Sequence, residues 1–184
     1  MVRLETERLI LRPWQKEDAD DLFRYASDPM VGPSAGWLPH QNREESRRII
    51  ETVLSAEETY ALVFKQTGEV IGSVGIMLPG RGNLPMEKGE AELGYWIGKP
   101  FWGQGLVPEA VRALLSRCFS DLGCQKVYIV YFSGNHKSKR VSEKCGFLFE
   151  RTQEREQDAV GCKRVECVTS LSKENWERKN KTAK

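Results

Sequence analysis

The sequence predicts an α/β (α+β) fold: a mixed, mostly antiparallel sheet of six to seven strands flanked by about four helices. Three observations carry this. Seven short apolar runs read as strands and four longer segments read as helices, in the order β, two helices, three strands, helix, strand, helix, two strands. Residues 59–78 and 147–171 each hold two such runs joined by a short turn, as antiparallel hairpins require. One passage between strands, from residue 98 to 126, is long and helical, so a parallel crossover is expected among the antiparallel pairs.

The elements follow from their residues. "RLILRPW" is a strand stopped by Pro13, and "QKEDADDLFRYASD" a helix with Leu22, Tyr25 and Ala26 at helical spacing. "PMVGPSAGWLPHQ" holds three prolines and two glycines and reads as a loop. "NREESRRIIETVLSAEE" is a helix, with Asn42 as cap and Glu45 closing a capping box. "TYALVFKQTGEVIGSVGIML" is a hairpin turning at "QTGE", "PGRGNLPMEKG" a loop, and "EAELGYWIG" the next strand. "PEAVRALLSRCFSDLG" is a helix with an apolar stripe through Val111, Leu114, Leu115, Cys118 and Phe119. "QKVYIVYF" is a buried strand, "NHKSKRVSEKCGF" a short helix ending at Gly146, and "FLFERTQEREQ", "DAVG" and "CKRVECVTSL" a last hairpin. Residues 1–172 form one domain, and 173–184 a polar, basic tail with at most a turn of helix.

Composition narrows the function. The chain has 184 residues with 28 basic and 26 acidic side chains, a net charge of +2 that argues against nucleic acid as partner. Five cysteines without a CxxC pair, and two histidines, do not make a zinc site, so no metal is expected. Reduced, mostly buried thiols suit a cytoplasmic protein, and Cys145 reads as core packing. No apolar run is long enough for a membrane span. Monomer and homodimer both stay open.

The informative stretch is "GYWIGKPFWGQGLVPEAV". A strand ending in a glycine loop that feeds a helix presents unpaired amides and the positive end of a dipole to an anion. There is no GK[ST], so it is not a nucleotide P-loop. The third glycine of a dinucleotide fingerprint is also missing.

Pro100-Phe101-Trp102-Gly103-Gln104-Gly105 resembles motif A of the GNAT superfamily of N-acetyltransferases, Q/R-x-x-G-x-G/A, with proline in first position. "LGYWIGKPFWGQG" is similar to the RimJ/RimL-like branch, which acetylates protein N-termini. "NHKSKRVSEKCGF" resembles the second signature, N-x-x-S/A followed by E-K-x-G-F, and the resemblance covers nearly the whole chain. It implies acetyl-CoA in a V-shaped opening between splayed strands 90–98 and 126–132. Backbone groups near Trp96 and Ile97 would pair with the pantetheine arm. Amides of Trp102, Gly103, Gln104, Gly105, Leu106 and Val107 would cradle the pyrophosphate. Asn135 and Ser138 would face the thioester, and Lys139 and Lys144 are candidates for phosphates.

For the base, Glu92 is the candidate implied by the cleft strand, with Glu156 as second and Glu154 as its neighbour in alignment. Glu92 reads equally as a sheet salt bridge. Where many members carry a tyrosine this chain has Ser142, so Ser138 becomes the candidate hydroxyl near the sulfur; capping its helix is its other reading. Trp37, His40 and Glu90 are candidates for the acceptor pocket. The expected acceptor is a primary amine, at a protein N-terminus or on a small molecule. A non-catalytic acyl-CoA-binding module is the alternative of another class.

Overall fold

The computed structural model describes residues 1–156 and 161–182. Among them, eight strands form one sheet: β1 (Leu4–Glu5), β2 (Leu9–Pro13), β3 (Thr59–Phe64), β4 (Val70–Met77), β5 (Glu90–Ile97), β6 (Lys126–Phe132), β7 (Leu148–Arg155) and β8 (Arg164–Ser172). They lie in the order β1-β2-β3-β4-β5-β6-β8-β7, and β5–β6 is the parallel pair. The strand beyond the expected seven is β1, because Leu4–Glu5 folds back antiparallel onto Leu11–Ile10.

Among the described residues, six α-helices flank the sheet: α1 (Ala19–Ala26), α2 (Gly32–Ala35), α3 (Arg43–Ile49), α4 (Leu106–Ser116), α5 (His136–Cys145) and α6 (Lys173–Thr182). The single turn α2 lies inside the segment expected as loop. Asn42 caps α3 by accepting from Glu45 N–H at 2.8 Å, but the Glu45 carboxylate reaches back to Gln41 N–H rather than to the cap itself. The expected tail forms ten residues of helix. Trp176 of α6 packs on Phe119 with ring centroids 5.2 Å apart, and Lys179 Nζ donates to Gly146 O. The last expected hairpin turn falls largely on residues 157–160, outside the described residues. No described helix is long and apolar enough to cross a membrane.

Strand alternation sorts the core into two layers. Leu9 and Leu11 of β2 and Tyr60 and Leu62 of β3 pack with Leu106, Val111 and Leu114 of α4. The intervening Ile10, Ala61 and Val63 pack with Leu22, Ala26 and Ile50 on the other face. The whole predicted stripe from Val111 to Phe119 is buried. Truncating one such leucine, Leu114→Ala, costs about 2–5 kcal/mol.

The pairing of β5 with β6 decides the site. It runs from Glu90↔Lys126 to Leu93↔Ile129 and stops. Past that point β5 stays paired with β4 as far as Ile97↔Gly72, and β6 with β8 as far as Phe132↔Glu166. The sheet therefore opens along one seam.

Candidate active site

A cleft of about 760 Å³ occupies the opening, walled by the ends of β5 and β6, the loop into α4, the first turns of α5, and residues 29–35. The backbone parity of β5 is fixed by Gly98 N–H, which donates to Ile71 O at 2.8 Å. Along an unbroken antiparallel register, alternate residues face the partner strand. Trp96 thus turns its main-chain groups to β4, and Tyr95 and Ile97 turn theirs to the cleft. Ile97 O is taken by Trp102 Nε1–H at 2.9 Å. Of the two residues expected to offer backbone here, Ile97 does so and Trp96 does not.

In the loop, Gly103 and Gly105 sit at φ +78° and +77°, a region costly to residues with a Cβ. The Trp102 N–H donates to Lys99 O. The amides of Gly103, Gln104 and Gly105 have no acceptor within the described chain, and those of Leu106 and Val107 lie in the first turn of α4, where no intrahelical acceptor exists. Five donors therefore converge at a helix N-terminus. The loop is held from outside by Arg8, which donates to Gln104 O at 3.0 Å and pairs with Glu109 at 2.7 Å.

Opposite it, α5 begins at Asn135, whose Oδ1 accepts from Ser138 N–H at 3.1 Å, so Asn135 is the helix cap as well as part of the cleft wall. Lys137, Arg140 and Lys144 of α5 also line the cleft. Lys137 Nζ stands 3.3 Å over the Trp102 ring, and none of the three has a carboxylate partner among the described residues. Lys139 instead pairs with Glu143 at 3.8 Å and faces a second groove. Ser138 Oγ meets the Tyr95 hydroxyl at 2.7 Å. Burial pushes the Tyr95 phenol well above its ordinary pKa, so it stays protonated. Ser142 is buried and donates to Thr169 Oγ1 at 2.9 Å, away from the cleft.

On the other face of β5, Glu92 is 2% exposed and lines the cleft. It accepts from Asn83 N–H and Nδ2–H at 2.7 Å and from Leu84 N–H at 3.3 Å. A Cβ at Gly82 would stand 2.7 Å from its Oε2, so glycine lets the loop close on the carboxylate. Burial raises the Glu92 pKa against those donors, and nearby Glu166 raises it further. Glu166, 3% exposed, also lines the cleft and binds Arg155 at 3.1 Å and Gln153 at 2.9 Å. Arg155 continues to Asn83 Oδ1 at 2.7 Å, which joins the two carboxylates into one network.

The remaining sequence candidates lie elsewhere. Glu156 and Glu154 are exposed and do not line the cleft, whereas Arg155 and, through it, Glu166 do. The register shift between Phe149 and Arg151 displaces the strand by one residue and decides which parity faces inward. Glu90 accepts from Tyr128 OH and Glu87 N–H at the closed end of the seam. Trp37 packs edge-on to Trp96 at 5.6 Å, behind the cleft wall. His40 Nδ1 meets Ser46 Oγ at 2.8 Å, and burial lowers its pKa. Tyr95 and Glu166 escaped the sequence reading. Tyr95 stood within the quoted motif, and its alternation with Glu92 and Trp96 was the one signal for it.

A sheet parted beside a glycine loop, with a cationic helix face opposite, defines an α/β protein with an anion-binding cleft. The acetyltransferase (GNAT) domain model matches residues 8–148, and the chain belongs to that family and is an N-acetyltransferase. It is 36% identical over 132 residues to the uncharacterized N-acetyltransferase p20 of Bacillus licheniformis, covering 69% of this chain and 71% of that one. It is 27% identical over 114 residues to the ribosomal-protein-serine acetyltransferase of Escherichia coli, covering 60% of each. The crystal structure of a GNAT-family acetyltransferase from Bacillus anthracis superposes with a TM-score of 0.79 over 94% of this chain and 99% of that one, at 18% identity, which shows the shared fold.

Proposed function

We propose that the chain transfers the acetyl group of acetyl-CoA to the α-amine of a protein N-terminus in the cytoplasm. One observation carries it. Among the described residues, a single cleft holds five amides without an acceptor and three cations without a carboxylate partner on one side, and two buried carboxylates on the other. The first set suits a polyphosphate and the second a cationic amine. The likeness to a relative named for ribosomal-protein serine supports the peptide acceptor.

Acetyl-CoA would supply an activated acyl group on a good leaving thiol. Gly103 to Val107, Lys137, Arg140 and Lys144 hold its phosphates. The Tyr95 and Ile97 backbone would face its arm. Glu92 and Glu166 draw in the ammonium, and Glu92, its pKa raised by burial, takes the proton directly or through water. Ser138 offers its hydroxyl to the departing sulfur.

The test is calorimetry with acetyl-CoA on the wild type and Gly105→Glu, then thiol release with peptides of free N-terminus, polyamines, amino acids and aminoglycosides. A micromolar Kd abolished by the substitution, with peptides turned over, is expected. No binding at millimolar acetyl-CoA overturns the cofactor reading. Turnover of small amines alone overturns the acceptor.

A further inference from the structure

We propose that Tyr95 is a positioning residue for the transfer: its phenol donates to Ser138 Oγ and thereby aims the Ser138 hydroxyl hydrogen at the sulfur that leaves the thioester. The proposal deepens the function proposed above and rests on it. The hydroxyl pair is 2.7 Å apart, a distance across which either oxygen can donate, and both residues line the cleft. The phenol also stands 3.4 Å from Ser138 O. The short bond is assigned to the phenol, the more acidic hydroxyl, as donor. Tyr95 lies on β5 just past Leu93, the last residue paired with β6, so its main chain edges the cleft while its side chain reaches α5 behind it. A serine hydroxyl alone rotates freely, with one donor to give. An oxygen that already accepts from a phenol gives its hydrogen elsewhere, and the Ser138 side faces the cleft.

The balance is simple. The amine nitrogen bonds to the carbonyl carbon, the C–S bond breaks, and its electron pair goes to sulfur. The proton shed by the amine passes to Glu92 or water, and the thiolate is later protonated from solvent. Tyr95 and Ser138 change no bonds. They form a two-link donor chain whose members polarise each other. Full proton transfer from Tyr95 is disfavoured, because burial makes its phenolate costly. The titratable groups facing the phenol are the Cys145 thiol and the Tyr131 phenol. Lys137, Arg140 and Lys144 line the same cleft and favour a thiolate in every variant alike.

The test uses Tyr95→Phe, Ser138→Ala and the double variant. Ser138→Ala should lower kcat about 100-fold, as loss of one aimed donor does. Tyr95→Phe should lower it roughly 10-fold with KM for acetyl-CoA unchanged, and the double variant should be no worse than Ser138→Ala, since coupled residues are non-additive. Independent of turnover, ultraviolet titration of the thiol of bound CoA should show its pKa raised in both single variants, while desulfo-CoA binds all four proteins equally. An unshifted thiol pKa in Tyr95→Phe, or kcat losses that multiply in the double variant, overturns the proposal. A wild type that binds no CoA overturns both readings. A wild type that binds and turns over beside an indifferent Tyr95→Phe overturns this one alone.

Discussion

Replacing Glu109 by Gln changes one oxygen into an amide and tests what holds the glycine loop in shape. Glu109 Oε1 accepts from Thr6 Oγ1 at 2.5 Å and Arg8 N–H at 2.8 Å, and Oε2 pairs with Arg8 Nε–H and Nη2–H, both at 2.7 Å. The glutamine keeps the first two bonds and turns an N–H2 toward the guanidinium. Two charge-assisted bonds to Arg8 are lost, each worth about 1.5–3 kcal/mol when sheltered. The Arg8 side chain is 40% exposed, so screening reduces the net loss to about 1–2 kcal/mol. For a chain of this size that is roughly 2–8 °C in Tm. Burial alone would raise the Glu109 carboxyl; Thr6 and Arg8 outweigh it and hold the pKa below 4.5. A carboxylate depressed in the folded state stabilises above its unfolded pKa and loses that contribution as pH falls through the folded value. The stability gap between wild type and variant should therefore be full at neutral pH and close below pH 4.5. Arg8 also anchors Gln104 O, so acetyl-CoA affinity should fall several-fold, a cost of under about 1.4 kcal/mol. Scanning calorimetry across pH and titration calorimetry read both. A Tm within one degree of wild type at every pH would refute the clamp.

Glu92→Gln should cut kcat by about 10²–10⁴ if Glu92 takes the proton. Its raised pKa reverses the sign of linkage: the folded state favours the protonated form, so wild-type stability relative to the variant falls as pH rises from 4.5 through the folded value. Denaturant midpoints at several pH values check this. Trp176→Ala removes the anchor of α6 on Phe119 and should cost about 2–3 kcal/mol, less than for a fully buried tryptophan; chemical denaturation measures it. Changing Lys137, Arg140 and Lys144 together to Ala should weaken acetyl-CoA binding and flatten its salt dependence while leaving the peptide KM unmoved; steady-state kinetics at several ionic strengths separate the two.

Local rules made much of this molecule readable. The period of two in β2 and β3, the helical stripe of α4 and the glycines of the loop each act over a few residues, and the fold followed from them. What escaped depends on long-range register. Glu156 ranks second to Glu92 on its spacing from Gly146, yet a shift at Phe149–Arg151 turns Arg155 inward and leaves Glu156 exposed. Trp96 and Tyr95 are neighbours in one motif, and only the pairing of Gly98 with Ile71 decides which offers its backbone. Glu166 was hidden because a buried acid needs partners from another strand, here Gln153 and Arg155. The C-terminal helix looked like tail because Trp176 is its single large apolar side chain, and the Phe119 it packs on lies 57 residues earlier.

The end of β5 has two chemically different sides. Amides of Gly94 and Trp96 are locked into the β4 ladder, and those of Tyr95 and Ile97 face an opening. In heavy water the strand should therefore read as alternating slow and fast protons, residue by residue, within one rigid element. Acetyl-CoA lying along the seam would slow the fast set and leave the slow set alone. The strand becomes its own isotopic reporter of occupancy, and it distinguishes a molecule that pairs with the backbone from one that rests only on the glycine loop.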